Sequence, residues 1–196
     1  MLHGSGLDLL PRRNAMTAPA SGETISARLS IVEKHVALEN AHDLDGIMRT
    51  FGETARYDDE PWDAHYSGRE EVREFYTQLL RAMPDLQIDI RRRHASDDAV
   101  ILEVIIRGRH LGTWRGLPAT GNRIEFPLCG IYTFDESNQI AGEKIYYDRA
   151  SVLGQLGVFH EPESLRGRIS TALTHPITLA RIIARQGLVL TGARKT

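Results

Sequence analysis

Residues 123–134, RIEFPLCGIYTF, and 139–148, QIAGEKIYYD, flank the turn Asp135–Asn138. Both read as strands, whose side chains alternate between two faces. Before them, 99–110 (AVILEVIIRGRH) is a β-branched run, and Leu86, Ile88 and Ile90 alternate with polar residues. Further upstream the period changes. Ile25, Leu29, Val32 and Val36 recur at three- and four-residue steps, which predicts an amphipathic helix from Glu23 to about Asn40. Leu44, Ile47, Met48 and Phe51 mark a second, short helix, and a strand is expected at Ala55–Tyr57. The motif SGRE at 67–70 has capping-box spacing; Val72, Phe75, Tyr76, Leu79, Leu80 and Met83 follow at helical positions until Pro84 stops the helix. Helices first and adjacent strands after them make an α+β order rather than βαβ.

The chain of 196 residues, 41% hydrophobic and 26% charged, suffices for one domain with a buried core. Its net charge of −2 argues against a nucleic-acid-binding module, which carries a basic excess. No apolar run approaches the roughly eighteen residues of a membrane span. One cysteine, Cys129, cannot close an intrachain disulfide, so a reducing cytoplasm is the expected setting. It also excludes a thiolate metal cluster, and no metal or cofactor is expected. The charge is uneven: residues 1–22 carry +1 and 161–196 carry +4, which leaves −7 for 23–160. Residues 1–22 are expected to be a flexible leader without a secretory apolar stretch. Residues 161–196 are expected to be a basic helical extension, with an apolar-striped helix at 177–190.

Asp58, Asp59, Glu60 and Asp63, with Trp62, His65 and Tyr66, read as a solvated acidic loop, or more sharply as a carboxylate/imidazole site at a pocket mouth. The run Arg91–His94 spreads over both faces of a strand, with Asp97 and Asp98 close by to offset it. His110 near a strand end is a candidate for proton transfer, because imidazole titrates near neutrality. In 139–148, Glu143, Ile145 and Tyr147 share one face. If that face lines an apolar cavity, desolvation raises the Glu143 pKa and suits it to general acid or base work. Asp148 precedes RASVLGQLG and reads as a helix N-cap. No Gly-rich phosphate loop or nucleophile elbow is visible.

GRHLGTWRGLPATGNRIEF (108–126) resembles the G-x-H-x-G…G-x-P-x-T-G-x-x-V segment of SnoaL-like polyketide cyclases. YYDRASVLGQLG (146–157) is similar to that family's closing segment, and SGREEVREFY (67–76) to its third helix. The resemblance covers about 25–158 and places the chain in the nuclear-transport-factor-2-like superfamily, which includes the ester cyclases. It implies a cone of three N-terminal helices on a curved mixed sheet over residues 23–160, enclosing a cavity, and a homodimer. It also implies aldol cyclisation without metal or cofactor. The family's acid/base aspartate falls at Ile145, and its supporting Gln and His at Leu128 and Gly130.

Two functions follow as expectations. One is a cyclase or isomerase for an apolar, polyketide-like carbonyl compound, with Glu143 as base and Tyr147, Tyr57 or His110 polarising the carbonyl; a carboxylate beside hydroxyl donors in an apolar site is workable chemistry. The other is a non-catalytic ligand-binding or accessory protein, its greasier pocket formed around Leu128, Gly130 and Ile145. In either case Tyr57, Trp62, Trp114 and Tyr132 are expected along the cavity. The basic tail could also rest on an anionic membrane surface.

Overall fold

A computed structural model describes residues 21–178 together with 180 and 181. Almost all of the expected leader, and most of the helix expected at 177–190, lie outside the described residues. The elements are α1 (Gly22–Asn40), α2 (Leu44–Thr50), β1 (Phe51–Asp59), β2 (Ala64–Ser67), α3 (Arg69–Ala82), β3 (Gln87–Ala95), β4 (Ala99–Arg109), β5 (Arg123–Phe134), β6 (Ile140–Tyr147), α4 (Arg149–Gln155) and α5 (Leu165–Thr174). A 3-10 turn at Glu60–Trp62 joins β1 to β2. No helix among the described residues is long and apolar enough to cross a membrane.

The helices start where short polar side chains can take up free N–H groups. Ser21 Oγ accepts from Thr24 N, Asp43 Oδ1 from Gly46 N at 2.8 Å, and Asp148 Oδ1 from Ala150 N at 2.9 Å. The expected capping box at 67–70 does not form. Gly68, at φ 85, occupies the N-cap, and Glu71 rather than Glu70 reaches back to the Ser67 N–H at 2.8 Å. Glycine alone takes that backbone without strain, so the helix begins one residue later and shifts which glutamate reaches back. Phe51, placed on the second helix's stripe from sequence, is instead the extended first residue of β1.

The strands form one mixed sheet in the order β2-β1-β6-β5-β4-β3, with β1 and β6 parallel and every other pair antiparallel. Register shifts at Phe51/Arg56, Ile90/Arg92 and Thr133/Phe134 mark bulges, which bend strands and strengthen twist. The sheet curls, and its concave face takes the helices. Val32 and Val36 of α1, Ile47 of α2 and Val72 and Phe75 of α3 are buried with Val100, Leu102 and Val104 of β4. The architecture is the α+β cone expected from sequence, three helices against one curled mixed sheet.

The acidic-loop expectation is corrected. Asp58 and Asp59 belong to β1 and are buried, while only Asp63 keeps a fully solvated carboxylate. Strand β1 runs two residues beyond the expected end at Tyr57, because β2 and β6 both hydrogen-bond to it there. The basic run is neutralised, though not by Asp97 and Asp98: Arg91 pairs with Asp89, Arg92 and His94 with Glu103, and Arg93 with Glu33. Asp89 lies two residues along the same strand, Glu103 opposite on β4, and Glu33 on α1.

The C-terminus of α3 is clamped by the segment after β4. The Leu111 and Gly112 N–H groups both donate to the Ala82 carbonyl, at 2.9 and 3.1 Å. A Cβ at Gly112 would lie 2.4 Å from the Arg81 carbonyl oxygen, which is backbone and cannot swing away. Gly112→Ala is therefore expected to lower the unfolding free energy by about 1–3 kcal/mol in urea titrations. Gly22→Ala, where no atom lies within 4 Å of the new methyl, serves as the control and changes stability little.

Candidate active site

The buried face of α1 carries two polar residues, His35 and Glu39, between Val32 and Val36 and one turn beyond. His35 Nδ1 lies 2.7 Å from Thr50 Oγ1, and that hydroxyl donates its one hydrogen to the Ile47 carbonyl at 2.6 Å. Thr50 must then accept from His35, so Nδ1 carries a proton. Tyr76 Oη donates to Glu143 Oε2 at 2.7 Å, and His35 Nε2 sits 3.0 Å from that same phenol oxygen. With the Tyr76 hydrogen spent on Glu143, Nε2 also donates, and His35 is an imidazolium.

The electrostatics agree. Burial works against the charged ring, but the Glu39 charge and the hydrogen bond and charge of Glu143 outweigh it and raise the His35 pKa. Nε2 lies 3.4 Å from Glu143 Oε2 and 3.7 Å from Glu39 Oε1. Glu39 is pushed up to about 7, by burial first and by the Glu143 charge, against the pull of His35. Below that pH Glu39 is a neutral acid, which removes one charge from a buried cluster where each charge is costly.

Glu143 opens into a cavity of about 90 Å³ with an open mouth, room for roughly six to nine waters or a slim, flat organic group. Tyr57 stands beside Glu143 in register across β1 and β6, and Tyr132 across β5 and β6. Burial and the Glu143 charge hold the phenols of Tyr57, Tyr76 and Tyr132 well above their ordinary pKa, so they remain hydrogen-bond donors. Gly130 gives Tyr132 its place: a Cβ at 130 would lie 3.2 Å from the Tyr132 ring and 3.3 Å from its hydroxyl. Ile145 and half-buried Leu128 add apolar wall.

The mouth is polar. Asp59, register partner of Ile145, is paired through Oδ2 with Arg115 Nη2. Burial raises the Asp59 pKa, and the Arg115 charge opposes the rise. Tyr147 Oη accepts from Trp62 Nε1 at 2.7 Å and reaches Asp59 Oδ2 at 3.5 Å. Arg115 lies over the rings of Trp62, at 5.0 Å, and Trp114, at 5.2 Å. His110, buried beyond the end of β4, accepts at Nδ1 from the Thr120 N–H at 3.3 Å, while desolvation lowers its pKa. It is therefore the neutral tautomer with hydrogen on Nε2.

Every residue named from sequence for this site lines the cavity: Glu143, Tyr147, His110, Tyr57, Trp62, Trp114, Leu128, Gly130, Tyr132 and Ile145. The hydroxyl bonded to Glu143 is that of Tyr76, however, whereas Tyr147 serves Asp59 and Trp62. Sequence reasoning passed over His35, Glu39 and Arg115 and read Tyr76 only as a helix-stripe residue, whereas Asp59 was named within the acidic segment. The available signal was polar residues on otherwise apolar stripes, at 35 and 39 on α1 and at 76 on α3. His35, Glu39 and Glu143 offer ligand atoms within 4.8 Å of one another, close enough for a divalent cation. Both His35 nitrogens are committed to hydrogen bonds instead, and the group acts as a proton-sharing cluster.

The Glu39 proton is held up to about pH 7 in the folded protein and lost near 4.5 in the unfolded chain. The folded state binds more protons between those values, so stability falls as pH rises through that window. The raised His35 pKa acts in the same direction, its contribution fading as pH rises through the folded value. Urea unfolding of the wild type from pH 5 to 8 is expected to show this decline, and Glu39→Gln to flatten it by on the order of 2 kcal/mol. An unchanged slope in the variant contradicts the protonation assignment.

No curated protein matches the chain. Among solved structures, AclR from Streptomyces galilaeus, a proposed hydroxylase, is 24% identical, with a TM-score of 0.61 over 69% of this chain and 99% of its own. A proposed SnoaL-like polyketide cyclase from Jannaschia sp. is 15% identical, with a TM-score of 0.64 over 71% of this chain and 97% of its own. A protein of ketosteroid isomerase-like fold from Catenulispora acidiphila, solved with trimethylamine, is 20% identical, with a TM-score of 0.55 over 65% of this chain and 92% of its own. These likenesses concern the fold. The SnoaL-like polyketide cyclase model matches residues 30–156, from the middle of α1 through α4, and the chain belongs to that family.

Proposed function

We propose that the protein is a cyclase or isomerase for a small, flat, largely apolar carbonyl compound, working by general acid–base chemistry within the cavity. The observation that carries this reading is the Glu143 carboxylate, 4% exposed at the cavity wall and bonded to a phenol and an imidazolium rather than to lysine or arginine. Glu143 takes a proton from the carbon next to the carbonyl. The C–H electron pair becomes an enolate, whose oxygen accepts from the hydroxyl of Tyr57, in register beside Glu143. Returning the proton at another, conjugated carbon completes an isomerisation; attack of the enolate carbon on a second carbonyl of the same molecule forms a C–C bond as that C=O π pair moves to oxygen, and the alkoxide takes back the proton that Glu143 removed. Positioned proton transfer of this kind contributes about 10²- to 10⁴-fold.

The second reading, a binding protein without turnover, draws on Ile145, which puts an apolar side chain at the position where the family carries its acid. Deuterium exchange at the α-carbons of polyketide-like and steroid-like ketones, followed by NMR in D₂O, separates the two. Wild type is expected to exchange at least one compound with Glu143→Gln slowed at least a hundredfold, and Tyr76→Phe slowed less. Equal rates in wild type and Glu143→Gln remove Glu143 from the mechanism. Binding without exchange in any variant selects the second reading.

A further inference from the structure

Asp59 Oδ1, His110 Nε2 and Arg115 Nε are buried and have no hydrogen-bond partner among the described residues. Asp59 is 1% exposed and His110 is 2% exposed, and both line the cavity; Arg115 lies between Trp62 and Trp114, which line it too. Leaving one such group unmade costs on the order of 1–3 kcal/mol. Three of them around one cavity form a polar surface with specific demands. His110 lies beyond the end of β4 and bonds to neither of the other two, which are joined to each other. Asp59 Oδ1, an acceptor, and Arg115 Nε–H, a donor, remain.

We propose that Asp59 and Arg115 form a hydroxyl-recognition subsite, so that the ligand carries a phenol or alcohol in addition to its carbonyl. A hydroxyl offers both functions from one atom: it donates to Asp59 Oδ1 and accepts from Arg115 Nε–H. The other Asp59 oxygen is already held by Arg115 Nη2 and Tyr147, so the carboxylate cannot turn away. A ligand carboxylate would bring a second negative charge against Asp59 with no hydrogen to give it. An ether would accept and leave Oδ1 bare. Around this pair the walls are aromatic and braced: Arg115 and Arg149 each lie 5.0 Å from the Trp62 ring, and the Tyr147 ring packs 5.1 Å from Phe126. These walls suit a hydroxyl on a flat, unsaturated ring system.

This inference rests on the cavity being the ligand site, and its readout is binding rather than turnover. The sequence has two tryptophans, Trp62 and Trp114, and both line the cavity, so intrinsic fluorescence reports occupancy directly. The probes are the positional isomers of hydroxy-1-tetralone, their methoxy counterparts and the matching carboxy compounds. Wild type is expected to bind at least one hydroxy isomer about tenfold more tightly than its methoxy partner, a ratio in keeping with a hydrogen bond to a charged group. In Asp59→Leu and Arg115→Met the ratio is expected to fall within about twofold, with circular dichroism confirming the fold. Arg115 sits on the Trp114–Leu117 hairpin and keeps its stem as methionine, so that variant decides if Asp59→Leu does not fold. Hydroxy and methoxy compounds binding equally to wild type, a ratio that persists in the variants, or tighter binding of the carboxy compounds overturns the subsite. An inert Glu143 leaves these ratios intact, and loss of the ratios leaves the exchange experiment intact, so the two readings fail separately.

Discussion

An imidazole, two carboxyl groups and three phenols are buried together against the cavity, and the imidazolium among them depends on the groups around it. Thr50 takes the His35 Nδ1 hydrogen, Tyr76 ties His35 to Glu143, and Glu39 keeps its own proton until about pH 7. Those side chains come from α1, the end of α2, α3 and β6. The apolar contacts around them bring helices onto a sheet, but apolar burial has no direction and tolerates sliding. The hydrogen-bonded cluster tolerates little, because a slip of any element strands a buried charge. One set of groups therefore sets the helix register and presents Glu143 to the cavity.

A second constraint operates at the mouth. Strands β1 and β4 are three positions apart in the sheet, and a flat sheet would hold them far from one another. The hairpin following β4 nevertheless places Arg115 against Asp59 at the end of β1, with Trp62 and Trp114 stacked about it. The curl introduced by the bulges makes that contact possible, and the ion pair in turn fixes how far the mouth can open. Arg115 at φ 48 and Gly116 at φ 79 give the hairpin the tight left-handed turn it needs. The buried pair and the aromatic brackets offset the modest strain of an arginine in that conformation.

Much of the fold was legible because periodicity reports which face of an element is buried. Strands 123–134 and 139–148 needed almost no revision, and the Glu143–Ile145–Tyr147 face did point inward. Periodicity is weaker at boundaries and for polar residues. The capping box at 67–70 gave way to Gly68 because the backbone chose φ 85 there, which composition alone does not reveal. Asp58 and Asp59 looked solvated because charge runs usually are, yet two neighbouring strands enclosed them. His35, Glu39 and Tyr76 were hidden for a related reason: each needs partners distant in sequence, and the residues joining them span positions 35 to 143. Long-range complementarity of that kind leaves no local pattern.

The same distance in sequence explains how an apolar Ile145 can line the cavity without emptying the site of polar groups. Position 145 is flanked in register by Asp59 on β1 and Gly130 on β5. On one side the neighbouring strand supplies a carboxylate; on the other, the missing side chain of Gly130 admits the Tyr132 ring and its hydroxyl. Two residues back on β6, Glu143 supplies a further carboxylate. The two carboxylates have opposite company. Glu143 is held by a phenol and an imidazolium, whereas Asp59 is tied most closely to a guanidinium that cannot give up a proton, with the Tyr147 phenol further off at 3.5 Å. Groups set apart in this way within one cavity are suited to different tasks: Glu143 to moving a proton, and Asp59 to holding a fixed negative charge against which a ligand can be oriented.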